Sequence, residues 1–125
     1  MNTDMTAEEF RRHGHAVVDW IADYLENNRD LPVMPRLEPG ALEDAPPPTA
    51  PEDVEPRERI LEDFRTLTPP AVNHWNHPRF HAYFSVSASA PGILGEMLAA
   101  ALNTNGMLWV SSPANTELEL AVLGW

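Results

Sequence analysis

Three histidines that could bind a metal lie close together in the chain. His74, His77 and His81 follow one another at i, i+3 and i+7. On a helix this spacing would place three imidazole nitrogens on one face for zinc. However, Pro78 lies within the set, the flanking residues show no helical period, and no carboxylate occurs between residues 64 and 95. We therefore predict loop histidines that hydrogen-bond to backbone, and no metal site.

Four nearby serines, at positions 85, 87, 89 and 111, could act as nucleophiles with an imidazole base. No Gly-x-Ser-x-Gly pattern singles one of them out. The glycines of residues 92–95 are too close together for a dinucleotide-binding fingerprint and do not follow a strand. We predict that these serines form turns and N-caps, and we predict no phosphate-binding loop.

Aromatic side chains are concentrated in the same irregular segment. Trp75, Phe80, Tyr83 and Phe84 lie close together, and Pro78 fixes a turn among them. Such a group suits a wall that contacts a flat ligand or a partner subunit. Spacing alone favours the alternative, a hydrophobic anchor beneath a loop.

The charge distribution divides the chain into two halves. Its net charge of −11 argues against a nucleic-acid partner, which requires clustered basic residues. Residues 1–65 carry 16 carboxylates and 7 arginines, whereas residues 66–125 carry 3 and 1. We expect a solvated first half and a second half packed against more protein. Zero cysteines exclude disulfides, and no apolar run is long enough for a membrane span, so we expect a cytoplasmic protein.

Two amphipathic helices are predicted in the first half. Thr6 and Glu9 have the spacing of a capping box, and the apolar pattern that follows predicts a helix over residues 7–27. A second helix, over 57–67, has Pro56 in its first turn. The apolar stripe of the first helix needs a partner surface. Its members are Phe10, Val17, Ile21 and Tyr24, widened by Trp20 and Leu25.

A proline-rich segment separates these two helices. Residues 31–56 hold eight of the thirteen prolines, which exclude a helix or a central strand and favour extended or polyproline-like chain. A loop of this length is uncommon inside a compact domain. Two interpretations stay open at this point, a disordered linker and an extended strap along the surface of something larger.

The second half is predicted to contain two further helices. Residues 71–88 are irregular, with a short β-like stretch at 81–86. A third helix covers about 92–103, and a fourth begins at 113 without a C-cap signal before the chain stops. Four helices and a strap make a poor independent domain. We expect the chain to be part of a larger protein.

Two blocks of sequence carry a family resemblance. Residues 74–84, HWNHPRFHAYF, are similar to the HW-x-x-P-x-F-x-A-Y-F stretch of aromatic amino-acid and histidine decarboxylases. Residues 106–119 are similar to the GF-x-W-x-x-SPA-x-TELE stretch of the same family, and residues 9–14 and 37–40 also match. The chain thus resembles the N-terminal segment of a group II pyridoxal-phosphate (PLP) dependent amino-acid decarboxylase, of the aromatic-L-amino-acid decarboxylase family.

The resemblance implies a fold and a set of partners. The chain would be mainly α with a Pro-rich extended strap, as the N-terminal part of a fold type I, aspartate aminotransferase-like α/β enzyme. Residues 1–70 would form a helical extension that covers the partner subunit of a homodimer. Residues 71–125 would form the substrate-side loop and the start of the large PLP domain, truncated here. The other partners would be an amino-acid substrate and the remainder of the same enzyme.

The resemblance also implies site residues. Asn105 and Met107 belong to a segment that reaches into the active site of the other subunit, so they would complete a pocket across the dimer. Four loop residues would line the substrate side of the PLP pocket: Trp75, Tyr83, Phe84 and Ser85. Tyr83 and Phe84 would pack against the substrate side chain.

Some positions depart from the family pattern. Ser85 and Val86 stand where aromatic decarboxylases commonly have Pro-Thr, and Asn105 and Met107 replace residues that are often Ile and Phe. Residues 77–80 and 103–105 also resemble the glutamate decarboxylase branch. The substrate therefore stays open between aromatic and acidic amino acids, although Tyr83 and Phe84 favour an aromatic one.

The implied reaction is loss of the α-carboxylate from an amino acid bound to PLP, which accepts the electrons. A lysine amine must hold PLP in the resting enzyme, yet all eight basic residues of this chain are arginine. The catalytic residues are therefore expected outside this chain. Two alternatives remain, a helical interaction module that binds a partner through its strap and a small histidine-based metalloprotein.

The absence of lysine generates a first prediction. The α-amino group is the only primary amine of the chain, so we expect no side chain to form a Schiff base with PLP. The test is to incubate the 125-residue chain with PLP, reduce it with borohydride and map the peptides by mass. A pyridoxyl adduct should be confined to the N-terminal peptide. An adduct on an internal peptide would contradict the prediction.

Overall fold

The computed structural model describes residues 5–43, 45, 47, 49, 52, 55–84 and 86–125. All regular structure in this part of the chain is helical, and it contains no strand. The four α-helices are α1 (Ala7–Asn27), α2 (Arg57–Leu67), α3 (Ala90–Leu102) and α4 (Pro113–Leu123). Short 3-10 turns follow α1 at Asn28–Asp30 and α2 at Pro69–Ala71. Among these helices, none has the length and apolar character needed to cross a membrane.

The predicted helix bounds agree with the structure to within a few residues. The predictions over 7–27 and 57–67 are confirmed at both ends. The third helix begins slightly earlier than predicted, because the Ser89 hydroxyl accepts a hydrogen bond from the Gly92 amide and caps it. Asn103 ends this helix in the left-handed conformation (φ 47°). The fourth helix ends at Leu123, where the Gly124 amide donates back to the last turn.

A capping box fixes the start of α1. The Glu9 amide donates to the Thr6 hydroxyl oxygen (3.2 Å), and the Thr6 amide donates to the Glu9 carboxylate (2.7 Å). The Thr6 hydroxyl donates to the same carboxylate oxygen (2.7 Å). These bonds from the Thr6 amide and hydroxyl lower the pKa of Glu9, because they favour its ionised form. The sequence pattern predicted this arrangement, and the geometry confirms it.

An aromatic contact joins α1 to α2. The Trp20 and Phe64 rings meet edge to face with centroids 4.9 Å apart. Arg12 and Glu58 also form an ion pair at 3.0 Å, but both side chains are mostly exposed. An exposed pair contributes about 0–1 kcal/mol, whereas an aromatic pair adds about 0.5–1.5 kcal/mol beyond its buried area. The aromatic contact is therefore the main link, and α2 covers part of the apolar stripe predicted on α1.

The strap is described only in part. Residues 39–43 form turns, in which the Ala41 amide donates to the Glu38 carbonyl and the Glu43 amide to the Gly40 carbonyl. Gly40 has φ 90°, a conformation that favours glycine. The described strap is therefore not extended throughout. The predictions for residues 44, 46, 48, 50, 51, 53 and 54 lie outside the described residues.

The β-like stretch predicted at 81–86 is wrong for the residues that the structure describes there. Residues 82–84 form a bend and a turn, and Tyr83 has a left-handed backbone with φ 56°. A strand requires negative φ at every residue. The run of apolar and aromatic side chains at 82–84 resembles a strand pattern, but the backbone reverses within it.

The chain forms two compact units, residues 1–87 and 88–125. In the first, the loop after α2 folds onto the end of α1, as described below. In the second, α3 and α4 are joined by the loop of residues 103–112, and the large apolar side chains of both helices are largely exposed. The division predicted at residue 70, between a dimer-covering extension and the start of a PLP domain, stays a prediction.

The capping box generates a prediction about pH. The folded pKa of Glu9 lies below its unfolded value, so its contribution to α1 is complete above the unfolded pKa. That contribution is lost as the pH falls through the lower, folded pKa. Helicity measured by circular dichroism should therefore decline on acidification more in the wild type than in Glu9→Gln.

The matched control is Glu8→Gln, which removes the same charge from the same helical turn. It should keep the acid response of the wild type. An identical acid response in Glu9→Gln and the wild type would show that the ionisation of Glu9 contributes nothing measurable to the stability of α1.

Candidate functional site

The loop of residues 71–84, here called the aromatic loop, is folded by consecutive backbone turns. The His77 amide donates to the His74 carbonyl (2.9 Å), and the Phe80 amide donates to the His77 carbonyl (2.9 Å). The His74 amide also donates to the Val33 carbonyl (3.1 Å), which ties the loop to the chain that follows α1. The loop therefore has a defined shape without a helix or a strand.

His74 anchors the aromatic loop to α1. It is the most deeply buried large side chain of the described residues, 1% exposed. Its Nδ1 atom is hydrogen-bonded to the Tyr24 hydroxyl at 2.9 Å, and the Tyr24 ring stacks on Trp20 with centroids 5.4 Å apart. Burial raises the pKa of the Tyr24 hydroxyl above its ordinary value.

His77 is the second buried imidazole, 3% exposed. The Arg79 amide donates to Nδ1 (3.0 Å), and Nε2 lies 3.1 Å from the Arg29 carbonyl oxygen. Because Nδ1 accepts and a carbonyl cannot donate, the proton is on Nε2, which donates to Arg29. A further bond, from the Asn28 side-chain amide to the Asn76 carbonyl (3.0 Å), crosses between the same two segments. The end of α1 thus holds the loop at several points.

The three histidines do not meet at one point. His74 and His77 each have protein partners, and His81 is exposed. In the part of the chain that the structure describes, no group of three His, Cys, Asp or Glu side chains could hold a metal ion. The prediction that loop histidines bond to backbone is confirmed for His77, while His74 binds a tyrosine hydroxyl instead.

Three of the predicted aromatic residues form a contiguous cluster, here called the aromatic wall: Trp75, Phe80 and Tyr83. The Trp75 ring is stacked with Phe80 (centroids 5.1 Å, planes 29° apart) and with Tyr83 (5.9 Å, 16°). Phe80 and Tyr83 are 6.5 Å apart. Phe80 is buried, whereas Trp75 is 43% and Tyr83 77% exposed. The wall therefore presents aromatic faces on a buried base.

Phe84 and Ser85 differ from the other predicted site residues. Phe84 is fully exposed and lies outside the aromatic wall. Ser85 lies outside the described residues. The substrate-side roles predicted for Trp75, Tyr83, Phe84 and Ser85 stay predictions.

The second unit holds the other two predicted site residues. The Asn105 side-chain oxygen accepts a hydrogen bond from the Met107 amide (2.8 Å), and the Ser111 hydroxyl donates to the Asn105 carbonyl (2.8 Å). The Met107 side chain is 79% exposed. Asn105 therefore shapes the loop through its own side chain, and Met107 offers a flexible apolar surface. Their cross-subunit role stays a prediction.

Residue spacing did not identify the side chains that hold the wall in place. The sequence pattern places Phe80 among the aromatic residues without marking it as a site residue, and it predicts an ordinary loop histidine at His77. It predicts no role in the loop for Asn28 or Tyr24. One signal was available, since His77 lies next to Pro78 and three residues before Phe80. A buried polar group in such a turn needs partners, and the partners come from distant sequence.

Comparison with known proteins assigns the chain to a family. Residues 39–125 match the family described as the pyridoxal-dependent decarboxylase conserved domain. A phenylacetaldehyde synthase of Petunia hybrida is 52% identical over 118 residues, which are 94% of this chain and 23% of that protein. An L-tyrosine/L-DOPA decarboxylase of Lophophora williamsii is 44% identical over 125 residues, 100% of this chain and 24% of that protein.

A solved structure gives the same answer at the level of the fold. Catharanthus roseus tryptophan decarboxylase, in complex with L-tryptophan, matches with a TM-score of 0.89 and 45% identity. The match covers 98% of this chain and 26% of that one. The fold of the chain therefore matches that of the corresponding part of a decarboxylase. The chain belongs to the pyridoxal-dependent decarboxylase family, and it spans about a quarter of the length of the relatives that it matches.

The contact between Tyr24 and His74 generates a prediction about stability. In Tyr24→Phe the buried Nδ1 atom of His74 would lose its partner, which costs about 1–3 kcal/mol. The thermal midpoint should fall accordingly. Tyr83→Phe removes the same hydroxyl from an exposed ring and serves as the control, with little change expected. Equal midpoints for the two variants would show that the buried hydrogen bond does not stabilise the loop.

Proposed function

We propose that this chain is part of a PLP-dependent amino-acid decarboxylase, a carboxy-lyase, in which it supplies one wall of the substrate pocket. The observation that carries the proposal is the aromatic wall, where Trp75 and Tyr83 expose stacked rings above a buried Phe80. Family membership supports the reaction class. The relatives' names support it further, since they include decarboxylases of tyrosine, L-DOPA and tryptophan.

The geometry of the wall favours an aromatic substrate over an acidic one. Rings prefer offset-stacked or edge-to-face contacts with other rings, and such a contact adds about 0.5–1.5 kcal/mol beyond the buried area. An acidic side chain would need a positive partner instead. The wall itself consists of Trp75, Phe80 and Tyr83 and contains no cation. We therefore propose an aromatic L-amino acid as the substrate.

The residues of this chain do not provide the covalent site that PLP requires. The sequence contains no lysine, so no side chain here can form the Schiff base that holds this cofactor. We propose that PLP is the cofactor of the whole enzyme and is held by residues outside these 125. No catalytic step is assigned to a residue of this chain.

The proposed work of the chain is binding and orientation. A flat side chain that stacks on Tyr83 and Trp75 would lose its freedom to rotate away from the wall. Holding the side chain of the substrate in this way fixes the direction of the bond to be broken. Residues that orient a substrate contribute to catalysis in this manner. The apolar rings also exclude water from that side of the substrate.

One specific observation favours an aldehyde, rather than an amine, as the product. The petunia relative, at 52% identity, is named as a synthase of an aldehyde rather than as a decarboxylase. A wall that binds an aromatic side chain serves both reactions equally, since it contacts the part of the substrate that does not react. The alternative is therefore an aromatic aldehyde synthase with the same substrate class.

We also propose a homodimer in which Asn105 and Met107 contribute to the pocket of the other subunit. Exposed apolar residues on both units support this assembly, among them Phe10 (60% exposed) and Leu98 (68%). Large contiguous apolar surfaces are rare on monomers and mark contact with more protein. Location in the cytoplasm is part of the same proposal.

The test of the proposed function starts from the complete reading frame that contains these residues. The purified protein is supplied with PLP and assayed with L-tryptophan, L-tyrosine, L-phenylalanine and L-glutamate. Release of CO₂ with the aromatic substrates is expected, and the organic product, amine or aldehyde, decides between the two reaction classes. CO₂ release with none of these would leave the helical interaction module as the better interpretation.

Within that enzyme, Tyr83→Ala should lower kcat/KM for the preferred aromatic substrate by about 10- to 200-fold. This is the cost of losing roughly 1–3 kcal/mol of apolar contact in the transition state. Trp75→Ala should have a smaller effect, because Trp75 is less exposed than Tyr83. PLP affinity should change little.

Tyr83→Phe is the matched variant, because it keeps the ring and should lose much less activity than Tyr83→Ala. Thermal midpoints are measured on the same samples. If Tyr83→Ala lowers only the midpoint and leaves kcat/KM per folded enzyme unchanged, Tyr83 is an anchor of the loop and does not belong to the substrate site.

A further inference from the structure

One of the buried side chains that attach the aromatic loop to the rest of the unit lies directly beneath the aromatic wall. His77 lies in the turn between Trp75 and Phe80, and both of its ring nitrogens are hydrogen-bonded within the protein. On one side Nε2 donates to the Arg29 carbonyl beyond α1, and on the other Nδ1 accepts from the Arg79 amide. The ring therefore spans the gap between the helical support and the loop.

Hydrogen bonds to His77 hold the backbone of Arg79 and Phe80, on which the aromatic wall depends. Its carbonyl accepts from the Phe80 amide at 2.9 Å, and its ring accepts from the preceding amide, that of Arg79, at 3.0 Å. Two successive amides are thereby held to one residue. Phe80 is the buried base of the wall, in contact with both other rings. A shift of the Arg79 amide would move Phe80, and Trp75 and Tyr83 with it.

His77 is not suited to exchange protons with a substrate. It is 3% exposed, and both nitrogens are already engaged with backbone groups. A general acid or base must reach the proton that it transfers, directly or through one water molecule. The His77 ring instead supplies one hydrogen-bond acceptor and one hydrogen-bond donor at a fixed distance and angle from each other.

We propose that His77 is the positioning residue of the aromatic wall, and that its Nδ1 atom sets the place of Phe80 and so the angle at which Tyr83 and Trp75 face the substrate. This inference rests on the proposed function, in which the wall binds the substrate side chain. It adds a residue that does not touch the substrate but decides how well the wall fits it.

Three variants of the full-length enzyme separate the two ring bonds. The side-chain oxygen in His77→Asn can occupy the place of Nδ1 and accept from the Arg79 amide, but the residue is too short to reach Arg29. His77→Gln can donate to the Arg29 carbonyl and leaves the Arg79 amide without its acceptor. His77→Leu removes both bonds. His81→Leu is the control, since it removes an exposed imidazole from the same loop.

Two readouts report on the wall. The first is the near-ultraviolet circular dichroism of the stacked rings, which depends on their mutual angle and requires no activity. The second is the division of any kinetic effect between KM and kcat with an aromatic substrate. We expect His77→Gln and His77→Leu to change the dichroism and to raise KM about tenfold, the lower end of the cost of a lost apolar contact. We expect His77→Asn and His81→Leu to keep wild-type values.

The outcomes decide the proposal even where one variant does not fold. If His77→Leu is unfolded, the comparison between His77→Asn and His77→Gln tests the proposal without it. Wild-type dichroism and KM in His77→Gln would overturn the proposal, and so would equal losses in His77→Asn and His77→Gln. If the wild type has no decarboxylase or aldehyde synthase activity, the proposed function fails, while the dichroism of the same four variants still tests whether Nδ1 holds the wall.

Discussion

Hydrogen bonds between the aromatic loop and the chain around the end of α1 determine the shape of the first unit. The loop has no helix or strand, so its buried polar groups must find partners elsewhere. Val33, Tyr24, Asn28 and Arg29 supply these partners from one short region of sequence. The polar bonds make the cluster a surface with a definite orientation.

The two units are stabilised in different ways. The first has a small buried core of His74, His77 and Phe80. Among the described residues, no buried side-chain nitrogen or oxygen atom lacks a hydrogen-bond partner. The second contains Ser112 as a buried residue, and its leucines on α3 and α4 are exposed. Small folded units bury a low fraction of their surface and are marginally stable. Within the described ranges, the second unit thus has fewer buried side chains of its own than the first.

The helices could be predicted from sequence because the information that specifies them is local. The capping box of Thr6 and Glu9 lies within four residues, and the apolar period of α1 lies within the helix itself. The strand-like stretch at 81–86 was predicted wrongly because side-chain type is a poor guide to the sign of φ, and Tyr83 adopts a positive value. In the sequence, a run of aromatic residues at a turn cannot be distinguished from one in a strand.

The residue types of the candidate site could be predicted from the sequence, but the contacts between those residues could not. Trp75 and Tyr83 could be selected because of their type and their resemblance to a family motif. Their contacts with Phe80, and the support from His77, depend on bonds between residues almost fifty positions apart, such as Arg29 and His77. No period or cap encodes such a pair. A buried histidine with both nitrogens in use has the same sequence signature as an exposed one.

The left-handed backbone of Tyr83 limits how this position can change during evolution. A residue at positive φ must tolerate close contact between its Cβ atom and the backbone, and β-branched residues tolerate it least. Valine, isoleucine and threonine are therefore disfavoured at this position of the aromatic wall. Substitutions should accumulate at Trp75 instead, because its φ is negative and more residue types can adopt that backbone conformation. Two neighbouring rings of one wall thus differ in the range of substitutions that they can accept.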